Sequence, residues 1–343
     1  MSLVDQGSGG EAQGVVASFV DGLNRVKRAP WLVVGAWLST LLLAVPLAVI
    51  LQNMIGTHLG DSLAARTAAT GVNYDWWNEF LAQASGVGVS FVPAILGFAA
   101  VMKNLSTVAD ASALPPVIAI AVVMNLGVSL FLAGGALDRL ARDRAIGTAA
   151  FFSACGVYFI RFLRLGVIGF VAYWILFVPY HNWLFDDVYP LVTADITVER
   201  TAFLIRLGLY AAFALPLFFV NILFDYAKIR AVVEDRRSMI GAVIASWRFI
   251  WRHPIAVWAL YKLNAGLFLV VIALYFLIAP GGHANLLAFA IGQIYIVLRV
   301  IVRLQFTASQ TALFQGRLAH AGYVARPVPR WPDSPAAEAI GPR

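Results

Sequence analysis

Three cations stand in or at the edge of long apolar runs, where cations are expensive: Lys262, Arg299 and Arg303. An ionised side chain at the centre of a membrane helix costs roughly 2.5–3.5 kcal/mol on insertion scales, so each needs a physical reason to be there. Arg299 precedes Arg303 by one helical turn and shares its face. Lys262 belongs to the preceding apolar run, and Asn264 and Gln293 add amides nearby in sequence. If the two runs form a hairpin, these five side chains are expected to line an inner-leaflet pocket for a phosphate or carboxylate headgroup. The competing expectation is that the cations snorkel to lipid phosphates or pair with Asp225, Glu234 or Asp235.

A second set is histidine and carboxylate: His58, His181 and His283 fall in separate polar segments, with Asp61, Asp75, Glu79, Asp186 and Asp187 on the same expected face. Such groups can hold a hydrolytic zinc. None has ligand spacing such as HExxH, so solvated loop histidines are the expectation and no metal or other cofactor is assigned. The lone Cys155 rules out an internal disulfide and a cysteine cluster, and is expected to pack as a small apolar residue. There is no phosphate-binding loop, GxSxG elbow or dinucleotide fingerprint, which argues against ATP-driven or redox chemistry. Asp75 and Glu79 bracket Trp76 and Trp77 in a short helix expected to lie on outer headgroups, its aromatics in lipid. Asn125 and Asn221 are expected to bond between helices, and Pro46, Pro93 and Pro216 interrupt apolar segments.

The elements that must position these residues follow from composition. Hydrophobic residues make up 61% of the 343 and charged residues only 13%. With a mean hydropathy of +0.79, the chain lies outside the range of water-soluble domains. The expected fold is all-α integral membrane, with about six transmembrane helices arranged as hairpins at roughly 31–52, 116–137, 163–183, 202–224, 255–279 and 286–306. Amphipathic interfacial helices are expected at 14–28 and 147–162, and a short re-entrant or interfacial segment at 87–104, broken by Pro93 and Gly97. An acidic outer loop is expected around Asp186, Asp187, Asp195 and Glu199. Residues 1–13 and the Pro-rich 326–343 read as disordered ends of a single membrane domain, 14–325.

Of the 25 Lys and Arg, 19 fall in segments assigned to one side, three (Arg66, Lys103, Arg200) on the other, and Arg206, Lys262 and Arg299 within spans. That bias predicts an inner membrane location with both termini cytoplasmic. The net charge of +7 is spread beside apolar spans rather than gathered in a patch, so lipid rather than nucleic acid is the expected counter-charge.

One order of parts recurs three times, from Gly14, Gly147 and Ile240: an amphipathic run, a basic or proline junction, then an apolar hairpin. This layout, with the run FDYAKIRAVVEDRRS at 224–238, loosely resembles uncharacterised bacterial multi-pass proteins related to the membrane region of glycerophosphodiester phosphodiesterases. Their soluble catalytic barrel has no counterpart here, so the resemblance implies architecture and no active-site residue. The expected function is non-enzymatic handling of a lipid or small amphiphile, as a transporter-like or membrane-organising component. Alternatives are a hydrolase or transferase using the outer histidines and carboxylates, and a scaffold subunit in a homo-oligomer or membrane complex.

Overall fold

In a computed structural model, residues 14–60, 62–70, 73–92, 97–279 and 286–319 are described. His283, Asp61, Pro93, the segment 1–13 and the tail 326–343 lie outside the described residues. Helices follow in the order α1 (Val15–Lys27), α2 (Pro30–Leu59), α3 (Ala64–Thr70), α4 (Tyr74–Gln83), a 3₁₀ turn (Gly86–Ser90), α5 (Gly97–Ala109), α6 (Pro116–Arg142), α7 (Thr148–Ile175), α8 (Tyr189–Thr193), α9 (Glu199–Val233), α10 (Met239–Arg252), α11 (Pro254–Ile278) and α12 (Leu286–Ala319). No strand occurs among the described residues. Six helical stretches are long and apolar enough to cross a membrane: α2, α6, α7 with its extension, α9, α11 and α12. The chain is an all-α, multi-pass membrane protein.

α5 has 13 residues. At 1.5 Å per residue that is about 20 Å, short of a hydrocarbon core of about 30 Å, so it adds no seventh crossing.

The three amphipathic helices share a register. Gly22, Cys155 and Ser246 each stand seven residues beyond the first residue of their helix (Val15, Thr148, Met239), and all three are buried. Each helix docks this small residue on the end of a span. A side chain at Gly22 would come within 2.7 Å of the Ser309 backbone nitrogen of α12. Cys155 packs on Gly134 and Gly135 of α6, where an added Cβ would lie 2.6 Å from the Cys155 sulfur. On α10, Ala242 and Ser246 are fully buried, and the Phe249 ring lies 5.1 Å from Tyr226 of α9. Small residues let backbones approach closely enough for dispersion to hold helices together in lipid, where the hydrophobic effect does not.

Thirteen residues beyond the same three starts stand Arg28, just past the end of α1, Arg161 and Arg252. Arg28 meets Asp143 at 2.6 Å, and Arg161 meets Asp235 at 2.5 Å. Both aspartates follow the returning span of their own unit in a left-handed conformation, φ +44° and +49°, which Asp tolerates better than most residues. Three units thus close into a ring, with α1 of the first unit seated on α12 of the third.

Two expectations change. The run 147–162 and the span 163–183 form one continuous helix: α1 and α10 break before Pro30 and Pro254, fifteen residues from their starts, whereas the equivalent place in α7 is Leu163. Without proline nothing interrupts the amide ladder. α7 then continues through the π turns Leu176–Tyr180 and Trp183–Val188 into α8, so Asp186 and Asp187 are helical rather than in a loop. Pro179 lies in the first π turn, where its missing amide hydrogen favours a widened turn.

The helix ends at α1, the α6–α7 and α9–α10 joints and the end of α12 make a closed end. Here Leu137, Phe162, Ile222, Ala227, Leu260, Leu313 and Phe314 form a core. Arg25 binds Asp21 (2.9 Å), the Leu140 carbonyl (2.9 Å) and Gln315 (2.7 Å), while Gln305 donates to the Phe19 carbonyl (2.8 Å). Burying polar groups so deep is stabilising only because they pair.

Candidate functional site: a cleft at the open end

The five residues expected to line a pocket for an anionic headgroup do not converge. Asn264 is fully buried, donating to the Leu260 carbonyl (2.9 Å) and the Ser309 hydroxyl (3.0 Å), and so joins α11 to α12. Gln293 accepts from the Trp37 indole at 3.1 Å and joins α12 to α2. Lys262, Arg299 and Arg303 are exposed and make no ion pair among the described residues. The acids proposed as partners are engaged elsewhere: Asp225 with Lys228, Glu234 with Arg230 and Arg236, Asp235 with Arg161.

His181 and His58 are structural in different ways. His181 is buried, its Nε2 3.0 Å from the Ala109 carbonyl, rather than lying in a loop. His58 Nδ1 accepts the Trp76 indole proton at 3.0 Å. Among the described residues no three His, Cys, Asp or Glu side chains gather as a metal site. Trp76 and Phe80 of α4 are buried against His58 and Phe91 instead of dipping into lipid, because α4 packs its aromatic face on the end of α2. Arg206, placed by sequence within a span, meets Asp110 at 3.6 Å and hydrogen-bonds Tyr210. Asn221 accepts from the Tyr173 hydroxyl, joining α7 to α9 as expected.

The geometry that sequence reasoning missed lies at the opposite end. α7 and α9 stay paired, through Phe177–Phe213 (5.3 Å) and Phe185–Tyr210 (4.8 Å). α11 and α12 stay paired through Tyr275 and Tyr295, stacked at 4.2 Å. α2 and α6 do not. Near the closed end Leu32 and Val33 pack with Leu140 and Ala308, but at the open end the 3₁₀ turn sits between the two helices. A side chain at Gly88 would strike Met54 of α2 (2.7 Å), while Gly86, at φ +56°, faces Val117 of α6 (3.9 Å). The pair Gly86 and Gly88 was the available signal: one permits the left-handed turn and the other the close approach.

Between these contacts α6 is bare. Every residue from Val122 to Val128 is exposed, two turns of helix with no covered face, and α2 has no buried residue. Asn125 lies in this stretch with no hydrogen-bond partner among the described residues. α5 bridges the other two hairpins across this end: Phe98 meets Phe276 of α11 at 4.8 Å, and Asp110, just past the helix, binds Tyr210 of α9. The Tyr210 hydroxyl and then Ser106 hold the Asp110 carboxyl below the usual carboxylate range.

Beside the gap, α2 and α4 border an open cavity of about 740 Å³ lined by Ile50, Asn53, Met54, Thr57, His58, Glu79, Phe80, Gln83 and Ala84. Counting about 1.5 Å per residue from Pro30 puts Ile50 about 30 Å and His58 about 42 Å along α2, which spans the far edge of the hydrocarbon and the headgroup layer. The cavity's polar groups thus stand about where α2 leaves the hydrocarbon, on the helix that also borders the bare stretch of α6. No protein-family model matches the chain, and comparison with curated proteins and with solved structures gives no match.

Proposed function

We propose that this is a non-enzymatic protein of the inner (cytoplasmic) membrane, with both termini in the cytoplasm, that holds a lipid or small amphiphile in the cleft between α2 and α6, in a transporter-like or membrane-organising role. The observation that carries the reading is the bare stretch Val122–Val128 in a helix firmly packed at its other end. A helix with no protein on any face inside a bundle is solvated by lipid on every face, so acyl chains reach between the hairpins. The orientation is supported by the Lys and Arg distribution, 19 against three.

The test is native mass spectrometry of the full-length protein released from membranes in mild detergent, wild type beside Val123→Trp/Leu126→Trp. These indoles fill the cleft without touching the packed end, so lipid carried by the wild type is expected to be lost from the variant. Equal lipid in both would end the proposal.

A further inference from the structure

We infer that the cavity between α2 and α4 is a headgroup site for a zwitterionic aminophospholipid of the outer leaflet, an inference that rests on the cleft holding a lipid. The argument is one of charge and hydrogen-bonding type. The lining carries one carboxylate, Glu79, and no Lys or Arg. Glu79 makes no ion pair among the described residues and is exposed to the cavity, so a cation is the group it lacks.

The other polar groups are neutral donors: the amides of Asn53 and Gln83, the Thr57 hydroxyl and one nitrogen of His58. An indole N–H can only donate, so the Trp76 bond, at 3.0 Å, makes His58 Nδ1 an acceptor and places the ring proton of the neutral imidazole on Nε2. The ring is further held by Phe80, whose centroid lies 5.4 Å away. This set offers an acceptor for an ammonium group and neutral donors for the phosphate diester beside it. A headgroup with only negative charge would meet Glu79 with no compensating cation, which disfavours it.

The apolar lining completes the match: Ile50, Met54 and Ala84 lie on the hydrocarbon side of the cavity, continuous along α2 with exposed Val49, Val45 and Leu42. Acyl chains can lie along that face while the head occupies the polar mouth. His58 and Glu79 come from different helices, so the site depends on α4 staying docked, which the buried Trp76 and Phe80 secure.

The experiment places full-length wild type, Glu79→Gln and Glu79→Lys in nanodiscs of equal parts phosphatidylethanolamine and phosphatidylglycerol. Each is then released into the mass spectrometer and the retained lipid identified, with thermal stability measured alongside. Glu79 is exposed, so all three proteins are expected to fold alike. The wild type should retain phosphatidylethanolamine in preference, Glu79→Gln should lose about tenfold of that preference, as expected for one charge-assisted hydrogen bond, and Glu79→Lys should prefer phosphatidylglycerol. A wild type that prefers phosphatidylglycerol or has no preference, or a preference unchanged in both variants, overturns the inference. Failure of the cleft reading is distinguishable: Val123→Trp/Leu126→Trp then retains both lipids as the wild type does, whatever residue 79 is.

Discussion

Two seven-residue stretches make opposite use of a membrane helix. Ala308–Phe314 on α12 reads ASQTALF and every residue is buried; Val122–Val128 on α6 reads VVMNLGV and every residue is exposed. The more polar stretch is inside and the more apolar one outside, the reverse of a protein in water. Where lipid is the solvent, apolar side chains gain little by leaving it, whereas hydroxyls such as those of Ser309 and Thr311 gain by pairing away from it. The closed end is therefore held by close backbone approach at small residues and by polar bonds as well as by its tightly packed apolar core, and the open end is free to part because separating Val and Leu from their neighbours exposes them only to more lipid.

This difference is open to attack at several points. Replacing Leu313, fully buried, by Ala should cost about 2–5 kcal/mol, whereas Val123→Ala on the bare stretch should cost well under about 1 kcal/mol. Chemical or thermal unfolding of the two variants in one detergent checks this, and equal losses would show that the open end is packed after all. Gly22→Leu should undo the seating of α1, by about 1–3 kcal/mol or more, because the intruding Cβ meets the Ser309 backbone at 2.7 Å and backbone cannot step aside. Gly127→Leu on α6, where an added side chain meets nothing within 4 Å, is the matched control and should leave stability unchanged.

The spans were legible because a run of about twenty apolar residues has one interpretation, and the basic junctions because cations concentrate beside spans. Which spans touch was not legible. In lipid the same leucine serves a helix interface or a lipid-facing surface, so nothing in VVMNLGV announced that it would be bare. The cations misled for a related reason: Arg299 and Arg303 share a face, but that face is turned to the outside of the hairpin, and sequence spacing fixes relative direction without fixing what lies in that direction. Residues 53–92 hid the cavity because its walls come from the end of one helix and the face of another, joined by contacts such as His58 with Trp76 that follow no period.

The smallest effect concerns the bridge at the open end. Since hydrogen bonds from Tyr210 and Ser106 hold the Asp110 carboxyl below its usual 3.8, its contribution is fully present above that value and is lost as pH falls through the lowered one. The group is a third exposed, so solvent screens the gain, and the expected change in unfolding temperature between pH 6 and pH 3 that depends on Asp110 is slight. It is measured as the difference between wild type and Asp110→Asn. A large difference would mean that the bridge, rather than the closed end, holds the hairpins together.

The seating of α1 on α12 also sets an order of events during synthesis. Phe19 and Gln305, which bond across that interface, are 286 residues apart, so α1 finds its partner only when α12 has been made and inserted. Until then Val16 and Val20 keep α1 at the membrane surface, while Gly22 lacks the Ser309 backbone it seats on and Arg25 lacks Gln315. Completion of the ring thus waits on α12, and a chain cut short before it displays an unanswered α1, by which an incomplete product differs from a finished one.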